Sequence, residues 1–133
     1  MTKPTHQDSG KDFDQGLAIR KQVMGEEFVS KAFDNATPFT LPMQHYITRN
    51  AWGDVWQRPG LDLKTRSLIT VAMLTALGKQ HELKGHVRGA LNNGVTLEEL
   101  QEVLLHASIY CGVPAAAEAC RSAAEVVDAP KNT

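Results

Sequence analysis

The chain has 133 residues, of which 42% are hydrophobic and 22% charged, a composition that is ordinary for a globular protein and excludes a disordered one. Its 14 lysines and arginines are balanced by 15 aspartates and glutamates, so there is no strong positive field and nucleic acid is not expected as a partner. No apolar run is long enough to span a membrane, and the polar stretch before Phe13 lacks the apolar core of a secretion signal, so we expect a cytoplasmic protein.

Helical patterns dominate the chain, and no alternation of apolar and polar residues is long enough to predict a sheet. Residues 1–11 are predicted to be a polar N-terminal arm, residues 12–129 one all-α domain, and residues 130–133 a polar tail. Gly16 and Gly25 weaken the propensity of the first helix without ending it. The predicted bundle has six helices, at about residues 12–33, 42–56, 63–77, 79–93, 97–110 and 114–128.

Local signals mark the ends of the later helices. Asp62 stands at the N-cap of the third helix, and Gly78 is placed to terminate it. Thr96 and Glu99 have the spacing of a capping box ahead of the fifth helix. The third helix is apolar on nearly all sides at residues 68–74, which predicts a position at the centre of the domain.

The cysteines and the last helix bear on packing. Cys111 and Cys120 match neither a CxxC redox motif nor a zinc knuckle, and we expect buried structural thiols. The last helix is rich in alanine, which allows close helix approach but buries little area. This composition favours a homo-oligomer in which another copy completes the core.

The fourth helix carries a polar row at the edge of its apolar face. Lys79, Glu82, His86 and Asn93 follow one another at helical spacing. A carboxylate one turn from an imidazole can hold the ring and keep it protonated, which would make His86 a proton donor. The alternative is an ordinary Glu–His pair at a helix edge with little energetic consequence.

The second helix carries a companion row of His45, Arg49, Trp52 and Trp56. An arginine can bind a carboxylate through two parallel hydrogen bonds, and the aromatic rings could floor a small anionic ligand. Arg58, just after the helix, could add a second cation. The alternative is a pair of core tryptophans with Arg49 lying along them.

A metal site is not expected. His81 and Glu82 begin a sequence that resembles the metalloprotease HExxH motif, but His86 is five residues after His81. Two histidines at this spacing point to different sides of a helix and cannot share one zinc ion. No glycine-rich phosphate loop is present either.

Two segments carry a family resemblance: TRNAWGDVWQRPGLD at residues 48–62, followed by KTRS at residues 64–67, and HELKGHVRGALNNG at residues 81–94. They closely resemble the γ-carboxymuconolactone decarboxylases of bacterial aromatic catabolism, and the similarity extends from about Asp12 to Val127. The resemblance implies an all-helical subunit of the alkylhydroperoxidase D-like type, assembled into a ring-like homo-oligomer, a hexamer, with sites near subunit contacts.

The resemblance also implies a reaction. It is the loss of CO₂ from 4-carboxymuconolactone to give β-ketoadipate enol-lactone, in the protocatechuate branch of the β-ketoadipate pathway, with no cofactor. His86, held by Glu82, is then the proton donor or the partner of the oxyanion. Residues expected to bind the lactone dicarboxylate are Arg49 and Arg58 as cations, Trp52 and Trp56 as an apolar wall, and His45, His81 and Lys79 as secondary candidates.

Two alternatives stay open. Thiol reductases of the same superfamily carry a CxxCxxxH signature on the equivalent helix, where this chain has Lys79, Glu82 and His86 instead. A thiol-dependent peroxide reductase would therefore have to use Cys111 or Cys120. The other alternative is a helical oligomer that binds a small ligand without catalysis.

Overall fold

The computed structural model describes residues 5–129, with side chains described from Asp12 onward. All regular structure in this stretch is helical, which confirms the predicted all-α class. The α-helices are α1 (Thr5–Met24), α2 (Glu26–Asp34), α3 (Leu41–Tyr46), α4 (Leu63–Leu77), α5 (Gln80–Asn92), α6 (Leu97–Tyr110) and α7 (Val113–Val127). A π-helical segment (Ile47–Trp52) continues α3, and a 3₁₀ turn (Val55–Gln57) follows it.

The described helices form two compact units that meet in sequence after Leu61. The first contains α1 to α3, the π-helical segment and the 3₁₀ turn, and the second contains α4 to α7. The single domain predicted over residues 12–129 stays a prediction. The first part of the predicted arm, residues 1–4, and the predicted tail at residues 130–133 lie outside the described residues.

The first predicted helix is wrong at its start and at its centre. The described backbone is already helical at Thr5, so part of the predicted arm belongs to α1. Gly25 has a φ of 98°, a left-handed conformation that glycine adopts without steric cost, and it divides the predicted helix into α1 and α2. The count of six helices is therefore too low for the described residues.

The second predicted helix is wrong beyond Tyr46. The amide of Gly53 donates to the carbonyl of Thr48 at 2.8 Å, the i→i+5 pattern of a π-helix. A Cβ on Gly16 of α1 would overlap that same Thr48 carbonyl oxygen. A Cβ on Gly53 would overlap the carbonyl oxygen of Arg49. The two glycines therefore allow α1 to lie directly against the π-helical segment.

The helix ends predicted in the second unit are confirmed. The Asp62 carboxylate accepts the amide hydrogen of Thr65 at 2.8 Å, and Gly78 ends α4 with a φ of 70°. The Thr96 hydroxyl accepts the amide of Glu99 at 3.0 Å, and the Glu99 carboxylate accepts the amide of Thr96 at 2.9 Å. These reciprocal bonds form the predicted capping box of α6.

The core of the second unit lies among its four helices. Helices α4 and α7 each pack against the other three, and α5 and α6 pack mainly against these two. Helix α5 contributes Leu83, Val87 and Ala90, which are fully buried. Its apolar stripe therefore faces the core, as its periodicity predicts. The remaining members of this cluster are Val71, Val95, Leu100, Leu104, Ala119 and Ala123.

Helix α4 is not buried on all sides, contrary to the prediction. Ile69, Met73 and Leu77 follow one another at helical spacing and are 37%, 59% and 67% exposed. On α6, Leu105 and Ile109 are also exposed. An open groove of about 640 Å³ runs between the two helices and is lined mainly by apolar side chains, among them Leu68, Ala72 and Val103. The second unit therefore presents exposed apolar side chains on both α4 and α6, which form its apolar face.

Two further predictions are decided by exposure and length. Cys111 and Cys120 are both exposed, so the prediction of buried thiols is wrong. The end of α6 carries Cys111 at the edge of the groove, and Cys120 lies on the outer side of α7. Within the described residues no helix has the length and apolar character needed to cross a membrane.

Candidate active site

Helix α5 carries the predicted proton donor. His86 is half-buried, and its Nδ1 atom is shielded from solvent. It is adjacent to the buried Val87, so the packing of the apolar stripe fixes the direction in which the imidazole projects from the helix. Glu82, one turn earlier, is exposed. That Glu82 holds this imidazole and keeps it protonated stays a prediction.

The other members of this row differ in environment. Lys79 is the N-cap residue of α5 and is exposed, as is His81 in the first turn. Asn93, after the helix, donates from its side chain to Ser67 Oγ at 2.9 Å and to the Leu63 carbonyl at 3.3 Å. Asn93 therefore joins α5 to the start of α4 and has a structural role.

The π-helical segment carries the predicted carboxylate-binding arginine. Arg49 is half-buried and forms no ion pair with a carboxylate among the residues whose side chains are described. Its guanidinium is thus not neutralised by this part of the chain. Arg58 follows the 3₁₀ turn, where the backbone is extended, and is exposed. Both cations lie in the first unit.

The two tryptophans are brought together by the turn that follows the π-helical segment. Trp52 and Trp56 are 4% and 8% exposed. Their rings stack with centroids 4.6 Å apart and an angle of 22° between their planes. The side chain of Gln57 donates to the carbonyls of Trp52 and Gly53, at 3.3 Å and 3.0 Å, and closes this turn. A buried stacked pair is what the core alternative describes.

His45 does not join this row. Its ring packs edge-on against Phe13, with centroids 5.4 Å apart, and lies 6.1 Å from the ring of Phe33. The predicted row assumed an α-helix from His45 to Trp56. Because i→i+5 hydrogen bonds replace the α-helical ones after Tyr46, residues four apart no longer share one line along this stretch.

A buried arginine that the sequence analysis missed lies beside this aromatic cluster. Arg20 of α1 is only 6% exposed. Its Nη1 donates to the Thr48 hydroxyl at 3.0 Å, and its Nη2 donates to the side-chain oxygen of Gln44 at 2.8 Å. The guanidinium carbon lies 5.7 Å from the centre of the Phe33 ring. Burial lowers the pKa of this guanidinium from its ordinary value.

The position of Arg20 within the apolar stripe of α1 is a signal in the sequence, although its charge makes the stripe look interrupted. Phe13, Leu17 and Met24 form the apolar stripe of α1, and Arg20 occupies the position between Leu17 and Met24 at which the helical period calls for another apolar residue. A charged residue in an apolar stripe is either buried with partners or placed at a site.

The described residues offer no group of three or more histidine, cysteine, aspartate or glutamate side chains placed to hold one metal ion. The site roles assigned to Arg49, Arg58 and His86 stay predictions.

The comparison with known proteins assigns the family. Residues 42–125 match the carboxymuconolactone decarboxylase family, a range that includes both segments quoted from the sequence. The chain belongs to this family. The match begins in α3 and ends in α7, so it takes in Arg49, both tryptophans and His86.

Individual relatives are similar over most of their length. The chain is 48% identical to a 4-carboxymuconolactone decarboxylase of Acinetobacter baylyi over 114 residues, which covers 86% of this chain and 85% of the relative. It is 54% identical over 107 residues to the nitrosuccinic acid decarboxylase npaB of Metarhizium robertsii, with 80% of this chain and 75% of the relative covered. An uncharacterised 15.0 kDa protein of Paracoccus denitrificans is 33% identical over 103 residues, with 76% of this chain and 75% of the relative covered.

Proposed function

We propose that this chain is a carboxy-lyase that converts 4-carboxymuconolactone to β-ketoadipate enol-lactone, in the protocatechuate branch of the β-ketoadipate pathway. The observation that carries the proposal is the 48% identity to a 4-carboxymuconolactone decarboxylase over 86% of this chain and 85% of the relative. A likeness of the fold alone would not specify the reaction, but identity at this level over most of both chains supports it.

The substrate supplies its own electron acceptor. The departing carboxylate is attached to a ring carbon that is conjugated, through the ring double bond, to the lactone carbonyl. When the carbon–carbon bond to this carboxylate breaks and CO₂ leaves, the electron pair spreads to the carbonyl oxygen as a dienolate. A proton is then added to the ring carbon next to the lactone carbonyl, and the ring double bond moves to the carbon that lost CO₂, which gives the enol-lactone. The protein has to bind a dianion, stabilise the oxyanion and deliver this proton, and the reaction as proposed uses no cofactor.

The residues of the first unit suit substrate binding. The guanidinium of Arg49 is not neutralised by a described carboxylate, and it is available to bind the acetate arm of the lactone. Binding the departing carboxylate tightly would instead stabilise the ground state and slow its loss. Arg58 is proposed as a second cation. Trp52 and Trp56, predicted as the apolar wall, form a buried stacked pair, which fits the core alternative better than a wall in contact with the substrate. His45, His81 and Lys79 are secondary candidates.

The imidazole of His86 suits proton transfer. It is half-buried, which limits competition from water, and Glu82 lies one turn earlier on the same helix. A protonated imidazole can donate a hydrogen bond to the developing dienolate oxygen or a proton to the ring carbon. We assign His86 as the catalytic residue and Glu82 as the residue that supports its charge.

Decarboxylation of nitrosuccinic acid is the second candidate, and the 54% identity to a nitrosuccinic acid decarboxylase favours it. Nitrosuccinic acid is also a small dicarboxylate with an internal electron acceptor. Loss of CO₂ from the carbon that bears the nitro group leaves a nitronate. A cation for the retained carboxylate and one proton donor serve either substrate, so the two candidates call for the same type of chemistry.

A direct assay separates these candidates. Freshly prepared 4-carboxymuconolactone and nitrosuccinate are offered separately, in EDTA, and CO₂ release is measured with the ultraviolet change. We expect kcat/KM for the lactone to exceed that for nitrosuccinate by more than about tenfold. The reverse preference would select the second candidate. Activity that is lost in EDTA and restored by a metal would contradict the cofactor-independent mechanism.

The remaining alternatives have their own readouts. A thiol-dependent peroxide reductase would lose its activity when the exposed Cys111 and Cys120 are alkylated, whereas the decarboxylase should keep most of its turnover. A non-catalytic binding protein would show a ligand-dependent rise in Tm with either dicarboxylate but would release no CO₂.

We also propose a cytoplasmic homo-oligomer, a hexamer, assembled through the apolar face of the second unit. The exposed side chains of Ile69, Met73 and Leu77 on α4, with Leu105 and Ile109 on α6, support this proposal. Apolar groups in this number are stabilised when they are removed from water, and a second copy of the same chain offers a complementary apolar face.

A further inference from the structure

We propose that Arg20 is a positioning residue that holds the π-helical segment Ile47–Trp52 in register and so sets the direction of Arg49. The inference rests on the proposed function, because Arg49 matters only if it binds a substrate carboxylate. It concerns a residue outside the family-matched range, which begins at residue 42.

Arg20 carries a buried positive charge. Arg20 is 6% exposed, and no carboxylate forms an ion pair with it among the residues whose side chains are described. Its partners are a hydroxyl, an amide oxygen and the face of the Phe33 ring, all of them neutral. Removing a charge from water without a counter-charge is unfavourable, and an apolar side chain of similar volume is often as stabilising at such a position. Stability therefore does not explain why an arginine stands here.

The hydrogen bonds of Arg20 connect two consecutive helical segments. The planar fork of the guanidinium bonds Gln44 in α3 and Thr48 in the π-helical segment at the same time, across the point at which the helix changes type. The Thr48 hydroxyl also donates to the Gln44 carbonyl at 2.7 Å. The three side chains thus form one small network that connects α1, α3 and the π-helical segment.

Thr48 connects Arg20 to Arg49 along the backbone. Thr48 precedes Arg49, and its carbonyl accepts the amide of Gly53 in the i→i+5 bond that defines the π-helix. Thr48 is fully buried, and its hydroxyl accepts from Arg20 and donates to the Gln44 carbonyl, so contacts on both sides fix its position. A shift to α-helical hydrogen bonding would move each residue that follows Thr48 around the helix axis, and the Arg49 side chain would point elsewhere. Arg20 opposes this shift by holding the hydroxyl of Thr48.

The decisive variant is Arg20→Met, which keeps an unbranched buried side chain but cannot donate hydrogen bonds. We expect hydrogen exchange of the Gly53 amide to become at least about tenfold faster, with no change at the buried Leu104 amide in α6. We expect KM for 4-carboxymuconolactone to rise by about tenfold while kcat stays within about threefold. An unchanged Gly53 exchange rate would overturn the proposal, whatever the kinetics show.

A double-variant cycle with Arg49→Ala tests whether Arg20 acts through Arg49. If it does, KM of the double variant equals KM of Arg49→Ala alone. If the two substitutions instead raise KM independently, so that the fold-change of the double variant is the product of the two single fold-changes, the proposal is overturned. If Arg49→Ala by itself leaves KM unchanged, the proposed substrate-binding role of Arg49 fails, and Arg20 loses its link to function even if Gly53 exchange responds.

A second pair of variants covers the case in which Arg20→Met does not fold. Thr48→Val removes the hydroxyl and keeps the side-chain volume, and Thr48→Ser keeps the hydroxyl. The proposal expects the valine variant to raise KM and accelerate Gly53 exchange, and the serine variant to match the parent protein in both. Equal behaviour of the two variants would contradict it.

Discussion

His86 is the residue on which the proposed chemistry depends most. His86→Gln keeps a polar side chain of similar reach but cannot act as an acid, and we expect kcat to fall on the order of 10²-fold or more. Arg88→Gln, an exposed change two residues further along α5, is the matched control and should retain the parent kcat. Normal turnover by a folded His86→Gln variant would remove His86 from the mechanism.

Substitution of Arg49 is expected to change the kinetics differently. The acetate arm is kept through the reaction, so its carboxylate is bound in the ground state and in the transition state alike. Arg49→Ala should therefore raise KM by about 10-fold to 100-fold, the range of a charge-assisted hydrogen-bonded pair, and change kcat little. Steady-state kinetics with the lactone measure both constants. A variant with parental KM and kcat would show that Arg49 takes no part in binding.

The environments of the α5 side chains were predictable from the sequence, whereas that of Arg20 was not. The notable residues of α5 stand at predicted levels, with Val87 buried and His86 half-buried, because a regular helix fixes the direction of each side chain. Arg20 was overlooked although it interrupts an apolar stripe, since its partners Gln44 and Thr48 lie 24 and 28 residues away. No spacing within α1 reveals them.

The capping box of α6 makes a prediction at the scale of one helix. The hydrogen bond from the Thr96 amide and the nearby Lys64 ammonium, 3.0 Å away, hold the pKa of the Glu99 carboxyl below its ordinary value of 4.5. A carboxyl whose pKa is lower in the folded state adds stability above pH 4.5, and this contribution is lost as the pH falls through the lowered folded pKa.

The matched variant is Glu99→Gln, since glutamine can still accept the Thr96 amide. The free energy of unfolding of both proteins is measured by chemical denaturation. Between about pH 5 and pH 3, we expect it to fall more for the parent protein than for the variant. Parallel pH profiles would mean that the carboxylate charge is not stabilising. Thr96→Ala, which removes the other half of the box, should lower the free energy of unfolding by about 1 kcal/mol.

Helix type proved less predictable than helix ends. Asp62, Gly78 and Thr96 were identified correctly because a cap involves residues three or four positions apart. The change from α-helix to π-helix after Tyr46 adds no breaking residue, and it depends on the close approach of Gly16 in another helix. Gly25 was visible as a weak point, but its positive φ was not.

The whole molecule is expected to assemble through α4 and α6. Size-exclusion chromatography with light scattering should give a mass of six times 14.6 kDa for the parent protein. Met73→Glu places a charge on a side chain that is 59% exposed and would be desolvated in the assembly, so this variant should dissociate into smaller species. A parent mass of one chain would contradict the proposed oligomer.

Gln22→Glu provides the control for this experiment. It adds the same charge at an exposed position of α1, in the other compact unit. Its mass should equal that of the parent protein. A parent-like mass for Met73→Glu as well would place the interface elsewhere on the surface.

The sequence of neighbouring residues was sufficient to predict the all-α class, most helix boundaries after Asp62, and the family. Each of these depends on residues within a turn or two of one another or on contiguous motifs. Packing between distant segments decided the π-helix against Gly16, the burial of Arg20, and the exposure of Cys111 and Met73. Burial is a property of what lies opposite a side chain, and periodicity shows only which residues share a face.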